Sequence, residues 1–184
     1  MRIYIMTFTY HTPESAPQES KPMLEGAQKS FGMIPNLHAI LAEGPTTYEA
    51  YGWLYNKFTT STSFSPLEQQ VVMMTSNVEN KCHYCVPAHT WIMKSAKMPE
   101  DVIEALRTSK ELPDAKLQAL SDFTKAMWDN RGHVSQDQLK DFLNAGYSNK
   151  HAIELMTGMA CKLISNFTNG MTKTKVDAPF QEFI

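Results

Sequence analysis

The stretch "SPLEQQVVMMTSNVENKCHYCVPAH" (residues 65–89) carries two helix starts and most of the reactive side chains of this chain. Ser65 with Glu68 three residues on is a capping box, and Pro66 fits the first helical position. Leu67, Val71, Met74 and Val78 follow at helical spacing. A second start lies inside "KCHYCVPAH". Proline lacks an N–H and clashes with the carbonyl four residues back, so it is tolerated only in a first turn or at a kink. An unbroken helix holding Pro87 therefore begins near Tyr84, with Cys85 in its first turn. Unpaired N–H groups and the positive end of the helix dipole favour a thiolate there. His89 projects from the same face one turn on, where a neutral imidazole could take the Cys85 proton. Cys82 precedes the turn, close enough for a small-loop disulfide with Cys85. This spacing suggests attack by Cys85, resolution by Cys82 and proton handling by His89.

Outward from this core, helical periodicity dominates. Residues 1–18 read as an extended arm, with Ile3, Ile5 and Phe8 alternating before Pro13 and Pro17. Pro22 suits a first helical position, with Met23, Leu24, Ala27 and Phe31 on one face. Gly32 and Pro35 break that helix, and the next is interrupted near Gly44–Pro45 before Tyr48, Tyr51 and Tyr55. "MPEDVIEAL" opens another, and Leu117, Leu120, Thr124 and Met127 mark one more. Ser135 with Gln138 repeats the capping-box pattern, and Gly146 ends that helix. Ser148 caps the last, which carries Ile153, Met156, Ala160, Leu163 and Ile164. The pattern predicts one all-α domain over 1–184 with seven or eight helices and a redox-motif core at 65–97.

At 184 residues, 42% hydrophobic and 20% charged, with a formal net charge of -2, the chain has the balance of an ordinary globular protein. Charges of both signs are interspersed, which gives no footprint for nucleic acid. No apolar run approaches the roughly 18 residues of a membrane span, and the interrupted apolar start reads as neither signal peptide nor anchor. These features predict a cytoplasmic protein. Three cysteines are too few and too odd in number for a disulfide scaffold, and a close pair in a reducing compartment is more often catalytic or metal-binding.

Metal binding is the main competitor of redox chemistry. Cys82, Cys85 and His89 could supply three zinc ligands, with His83 nearby, but a structural zinc site wants four ligands, usually from two separated pairs. The second pair is missing, and a purely structural role for these residues stays open. Cys161 sits among Met159, Ala160, Leu163 and Ile164 as a buried small hydrophobe would. Tyr48, Tyr51, Trp53 and Tyr55 read as packing residues, some of which could wall a pocket. His11, His38, His133 and His151 are scattered and read as ordinary, and the twelve methionines suit an adaptable core.

Taken together, these segments resemble the AhpD-like alkylhydroperoxidase branch of the carboxymuconolactone decarboxylase superfamily, and in particular its peroxidase-related proteins. "FGMIPNLHAILAEGP" resembles the branch's Phe-Gly-x-x-Pro-Asn segment, residues 65–89 its core of helix, Cys-x-x-Cys and His, and "LISNFTNGMTKTKVDAPF" its C-terminal end. The resemblance implies an AhpD-like helical bundle that forms a homo-oligomer and carries out thiol peroxidase or related dithiol–disulfide chemistry. It implies no prosthetic group and no metal. It also implies a hydroperoxide substrate and an external dithiol reductant of the lipoyl or thioredoxin type. Cys85 would be the peroxidatic thiol, Cys82 would resolve it and meet the reductant, and His89 would belong to a proton relay. Two positions depart from the motif. Gln70 stands where the motif has glutamate, and an amide can orient a histidine but cannot accept its proton. Glu68 could stand in, although its capping-box position already explains it. Tyr84 occupies the place of a histidine just before the second cysteine. The alternatives are a decarboxylase-like enzyme acting on a small carbonyl compound, and a non-catalytic or metal-binding helical oligomer.

Overall fold

The computed structural model describes residues 8–184, so Ile3 and Ile5 lie outside the described residues. Among the described residues the chain forms nine α-helices, two short 3-10 segments and no strand. The helices are α1 (Lys21–Phe31), α2 (Asn36–Leu41), α3 (Pro45–Ser61), α4 (Pro66–Glu79), α5 (Cys85–Ser95), α6 (Glu100–Arg107), α7 (Ala115–Asp129), α8 (Gln136–Asn144) and α9 (Asn149–Thr172). The 3-10 segments are Gln18–Ser20 and Ala178–Phe183. The expected all-α architecture is observed, and the excess over seven or eight helices comes from short pieces such as the six-residue α2.

Local chemistry sets the helix ends. Both arms of the capping box are made at Ser65/Glu68, at Ser135/Gln138 and at Ser148/His151. Gly32 ends α1 in the left-handed region, at φ 72°, where glycine has no Cβ penalty. Pro22 takes the second position of α1, after Lys21, and not the first. The arm is not uniformly extended. Ser15 and Ala16 N–H groups donate to Thr12 O (3.1 and 2.9 Å), and Ser15 Oγ accepts from Thr12 N–H at 3.0 Å. Proline and serine supply this turn chemistry, so the chain folds back before Gln18.

α4 is the centre of the bundle, packed by α7, α9, α5 and α6. Glu68 to Asn77 are all buried, so this helix is enclosed on every side and not on a single stripe. α3 runs along α9, and their approach is close because Gly158 faces the ring of Phe58: a Cβ there would lie 2.7 Å from the ring carbon Cζ. The 3-10 segment Ala178–Phe183 folds back over α5 and packs Phe180 edge-to-face on Tyr84 and tilted against Trp91.

Two expectations about apolar residues are corrected. Trp53 is 60% exposed and packs into no core. On α9, Ile153, Met156, Ala160 and Leu163 are exposed, whereas Leu155, Gly158, Cys161, Lys162, Ser165, Asn166 and Asn169 are buried. The apolar stripe of this helix faces outward because its more polar face builds the site described next.

Candidate active site

α5 begins at Cys85 with Tyr84 as its N-cap, so the nucleophile candidate occupies the first helical position. Pro87 sits where its missing N–H costs the helix nothing. Cys82, Cys85 and Cys161 are free thiols and all are buried. The Cys85 N–H donates to Cys82 Sγ at 3.2 Å, which holds the pair together across the turn. Asn169 of α9 donates its amide to Cys85 Sγ, also at 3.2 Å. Asn77 of α4 donates to the Cys85 carbonyl at 3.3 Å.

These contacts set the charge of the pair. Burial pushes the Cys85 thiol up, but the Cys82 thiol hydrogen bond, the positive charge of Lys162 and the Asn169 amide outweigh it and bring Cys85 below the ordinary thiol value. Cys82 moves the opposite way, driven up by its hydrogen bond to Cys85 and by burial. The surroundings thus favour the proton on Cys82 and the negative charge on Cys85, and the thiolate is the more nucleophilic form. Cys161 is pushed up to about 12 by burial.

His89 is five per cent exposed and makes no hydrogen bond to Cys85. Its Nδ1 lies 2.8 Å from Gln70 Oε1, and its Nε2 lies 3.0 Å from Lys162 Nζ. Gln70 Oε1 can only accept and Lys162 can only donate, so the ring is the neutral Nδ1–H tautomer. Burial and the Lys162 charge hold its pKa well below the ordinary value. The expected handover of the Cys85 proton to His89 therefore has no direct geometry: both ring nitrogens are engaged elsewhere. Gln70 fills the orienting half of the motif glutamate's place.

The other sequence candidates separate. Glu68 is not brought to the thiols; it accepts from Ser65 N–H at 2.8 Å and pairs with Lys116 at 2.9 Å, as its capping-box position predicts. Tyr84 lies at the site as an anchor, its hydroxyl donating to Asp177 Oδ2 at 2.5 Å. Burial, then the Asp177 charge, raise its pKa. Asp177 also accepts the Asn36 N–H at 3.1 and 3.2 Å and so caps α2 from 141 residues away, tying the Pro-Asn segment to the C-terminal end. His83 Nε2 lies 2.9 Å from Thr174 O, and among the described residues no three His, Cys, Asp or Glu side chains converge as a metal-ligand set.

Cys85, His89 and Lys162 share the wall of a cavity of about 250 Å³ between α1, α3, α5 and the C-terminal segment. Phe31, Tyr51, Tyr55 and Phe180 put aromatic rings on its wall, and bare backbone lines it at Gly26 and Gly52. This is small for a ligand pocket, which typically measures roughly 300–1,000 Å³. His38, expected to be ordinary, also lines it; burial lowers its pKa to about 4, and its Nδ1 lies 2.8 Å from the Tyr48 hydroxyl. Cys82 is not on the wall.

The helix order and this site can be compared with solved structures. A peroxidase-related protein from Ralstonia eutropha JMP134, described as an alkylhydroperoxidase AhpD core, superposes with a TM-score of 0.83 over 97% of this chain and 96% of its own, at 17% identity. This is the AhpD-like fold. A second peroxidase-related protein, from Silicibacter sp. TM1040, gives a TM-score of 0.80 at 20% identity over 95% of this chain and 92% of its own. The debrominase Bmp8, as a cysteine-to-alanine variant in complex with 2,3,4-tribromopyrrole, gives 0.80 at 18% identity over 97% and 96%. No family model and no curated protein matches the chain.

Lys162 and Asn169 are the functional candidates that the sequence reading passed over. Both hide in the helix taken for an apolar core element. One signal was present: Lys162 is the only charged residue between Glu154 and Lys173, and a lone charge in such a run marks a buried partner as readily as a surface.

Proposed function

We propose that the chain is a thiol-dependent oxidoreductase that reduces small organic hydroperoxides through a Cys82–Cys85 dithiol–disulfide cycle. The observation that carries this reading is the Cys85 sulfur, which accepts a hydrogen bond from Asn169 at 3.2 Å and lies in the wall of an apolar cavity. In the cycle, the Cys85 thiolate attacks the terminal peroxide oxygen, the O–O bond breaks and Cys85 becomes a sulfenic acid. Cys82 condenses with it, releasing water and forming the disulfide, and an external dithiol restores both thiols. No prosthetic group enters this cycle. Cys82 is 2% exposed and off the cavity wall, while Cys85 lies on it. A small lipoyl-type dithiol that enters the cavity and attacks the Cys85 sulfur of the disulfide therefore suits the site better than a protein donor of the thioredoxin type.

The test is turnover of an alkyl hydroperoxide by reduced protein with a small dithiol. Activity that survives Cys85→Ser refutes the assignment. A second electrophile is favoured by the ring-lined cavity and the likeness to a debrominase: a halogenated ring, reduced with release of halide. Halide release from a bromopyrrole without hydroperoxide turnover would move the reading to that substrate while leaving Cys85 as the attacking thiol.

The chain is further proposed to work as a homo-oligomer. Ile153, Met156, Ala160, Leu163, Phe167 and Met171 are spaced by three or four residues and form an exposed apolar seam over α9. Alternating three-and-four spacing is the spacing by which one helix packs against a like one, so a second copy of this helix is its occupant.

A further inference from the structure

We propose that Lys162 is the general acid of this site, donating a proton to the alkoxide that leaves when Cys85 attacks a hydroperoxide. The inference rests on the peroxidase reading and adds to it the source of the proton, which neither cysteine nor His89 supplies.

Lys162 is 2% exposed, a rare position for an unpaired lysine. One of its three N–H bonds goes to His89 Nε2 at 3.0 Å. The other two have no partner among the described residues, and the side chain forms part of the cavity wall beside Cys85. Among the described residues no carboxylate lines that cavity, so none of them competes in the wall for its protons. The titratable groups that share the cavity wall with it are Cys85 and His89 on α5, Tyr84 before it, His38 on α2, and Tyr51 and Tyr55 on α3. Its charge is also felt by Cys82 and Cys161. His89 cannot serve as the acid: its one N–H is committed to Gln70. It can aim Lys162, because Gln70 fixes the tautomer that presents a lone pair at Nε2. Gln70 in place of glutamate thus suits a lysine acid, since a carboxylate there would favour an imidazolium facing Lys162.

The step balances. The thiolate of Cys85 bonds to the terminal oxygen of R–O–OH, the O–O bond breaks and RO⁻ leaves; sulfur is oxidised and the peroxide reduced. Lys162 gives RO⁻ its proton and becomes a neutral amine. Cys82–SH and Cys85–SOH condense to the disulfide and water. Reduction by an external dithiol returns the Cys82 thiol and the Cys85 thiolate, and the proton it releases recharges Lys162.

The test compares leaving groups. An alkyl hydroperoxide expels a strongly basic alkoxide and needs the acid; a peroxycarboxylic acid expels a weakly basic carboxylate and does not. Each rate is divided by the Cys85 thiolate fraction read from the alkylation profile, because loss of the Lys162 charge also raises that thiol. Lys162→Met should then lose about 10²–10⁴-fold in kcat/KM on the alkyl hydroperoxide, the usual worth of a general acid, and less than tenfold on the peroxycarboxylic acid. Lys162→Arg keeps the charge but cannot give up a proton, so it should show the same split while its Cys85 alkylation profile stays that of the wild type. Equal losses on both substrates, or full rescue by arginine, overturn the proposal and leave Lys162 as an electrostatic group. If neither variant folds, the wild type decides. Its rate should be nearly independent of leaving-group basicity, and a steep dependence overturns the acid. A wild-type protein that turns over neither substrate removes the peroxidase reading itself, a result distinct from loss of the split.

Discussion

Lys162 Nζ lies 3.0 Å from Nε2 of His89, a contact that occupies the ring nitrogen left free by Gln70. A histidine whose lone pair already accepts from a buried amine holds a group in place and takes no proton from a thiol. Cys82, Lys162 and Asn169 favour a thiolate at Cys85.

Stability should carry the signature of the thiol pair. Cys85 has a folded pKa below its unfolded one, so its contribution is full above the unfolded value near 8.5 and is lost as pH falls through the lower folded value. Cys82 has the reverse shift, so its contribution holds below about pH 8.5 and is lost as pH rises toward its folded value. Denaturation of the wild type relative to Cys82→Ser/Cys85→Ser should show a stability advantage that grows with pH up to about 8.5 and then declines. A flat difference across that window contradicts the division of charge.

Gly52 lines the cavity and a Cβ placed on it meets nothing within 4 Å. Gly52→Leu should fold normally and gain up to about 1 kcal/mol from helix propensity. It should raise KM for a bulky hydroperoxide at least tenfold while sparing hydrogen peroxide. Unchanged kinetics with both substrates would place the reaction outside this cavity.

Gly158 should tolerate no side chain. Gly158→Ala puts a methyl 2.7 Å from the Phe58 ring and should cost about 1–3 kcal/mol of unfolding free energy. Adding Phe58→Leu should restore part of the loss. Urea denaturation of the single and double variants measures both.

Phe167 is 56% exposed at the middle of the α9 seam. Phe167→Glu should shift the sedimentation coefficient toward a monomer without altering the far-ultraviolet circular dichroism. A wild type that already sediments as a monomer removes the self-association proposal.

The helices were legible because their signals are local. Ser65/Glu68, Ser135/Gln138 and the Ser148 cap each act within one turn, and Pro87 places the start of α5 by the geometry of its own ring. Gly32 and Pro35 end α1 for equally local reasons. The cysteine pair was legible too, since three residues and one helix start define its chemistry. Which face of α9 points inward was not. Periodicity reports that apolar residues recur along a helix, and the rule that they turn inward fails where the interior holds a polar site and the outer face offers an apolar seam. The recurrence of Ile153, Met156, Ala160 and Leu163 therefore did not reveal that they face outward, and Lys162 and Asn169 were passed over.

The sequence by itself determined an all-helical chain, the start of α5 and the presence of a thiol pair at that start, because capping, proline sterics and the helix dipole act over a few residues. Only the tertiary structure decided which groups set the charge of those thiols. Asn169 and Lys162 stand 84 and 77 positions from Cys85, and a hydrogen bond or a buried charge acts through distance in space, which the order of residues does not record.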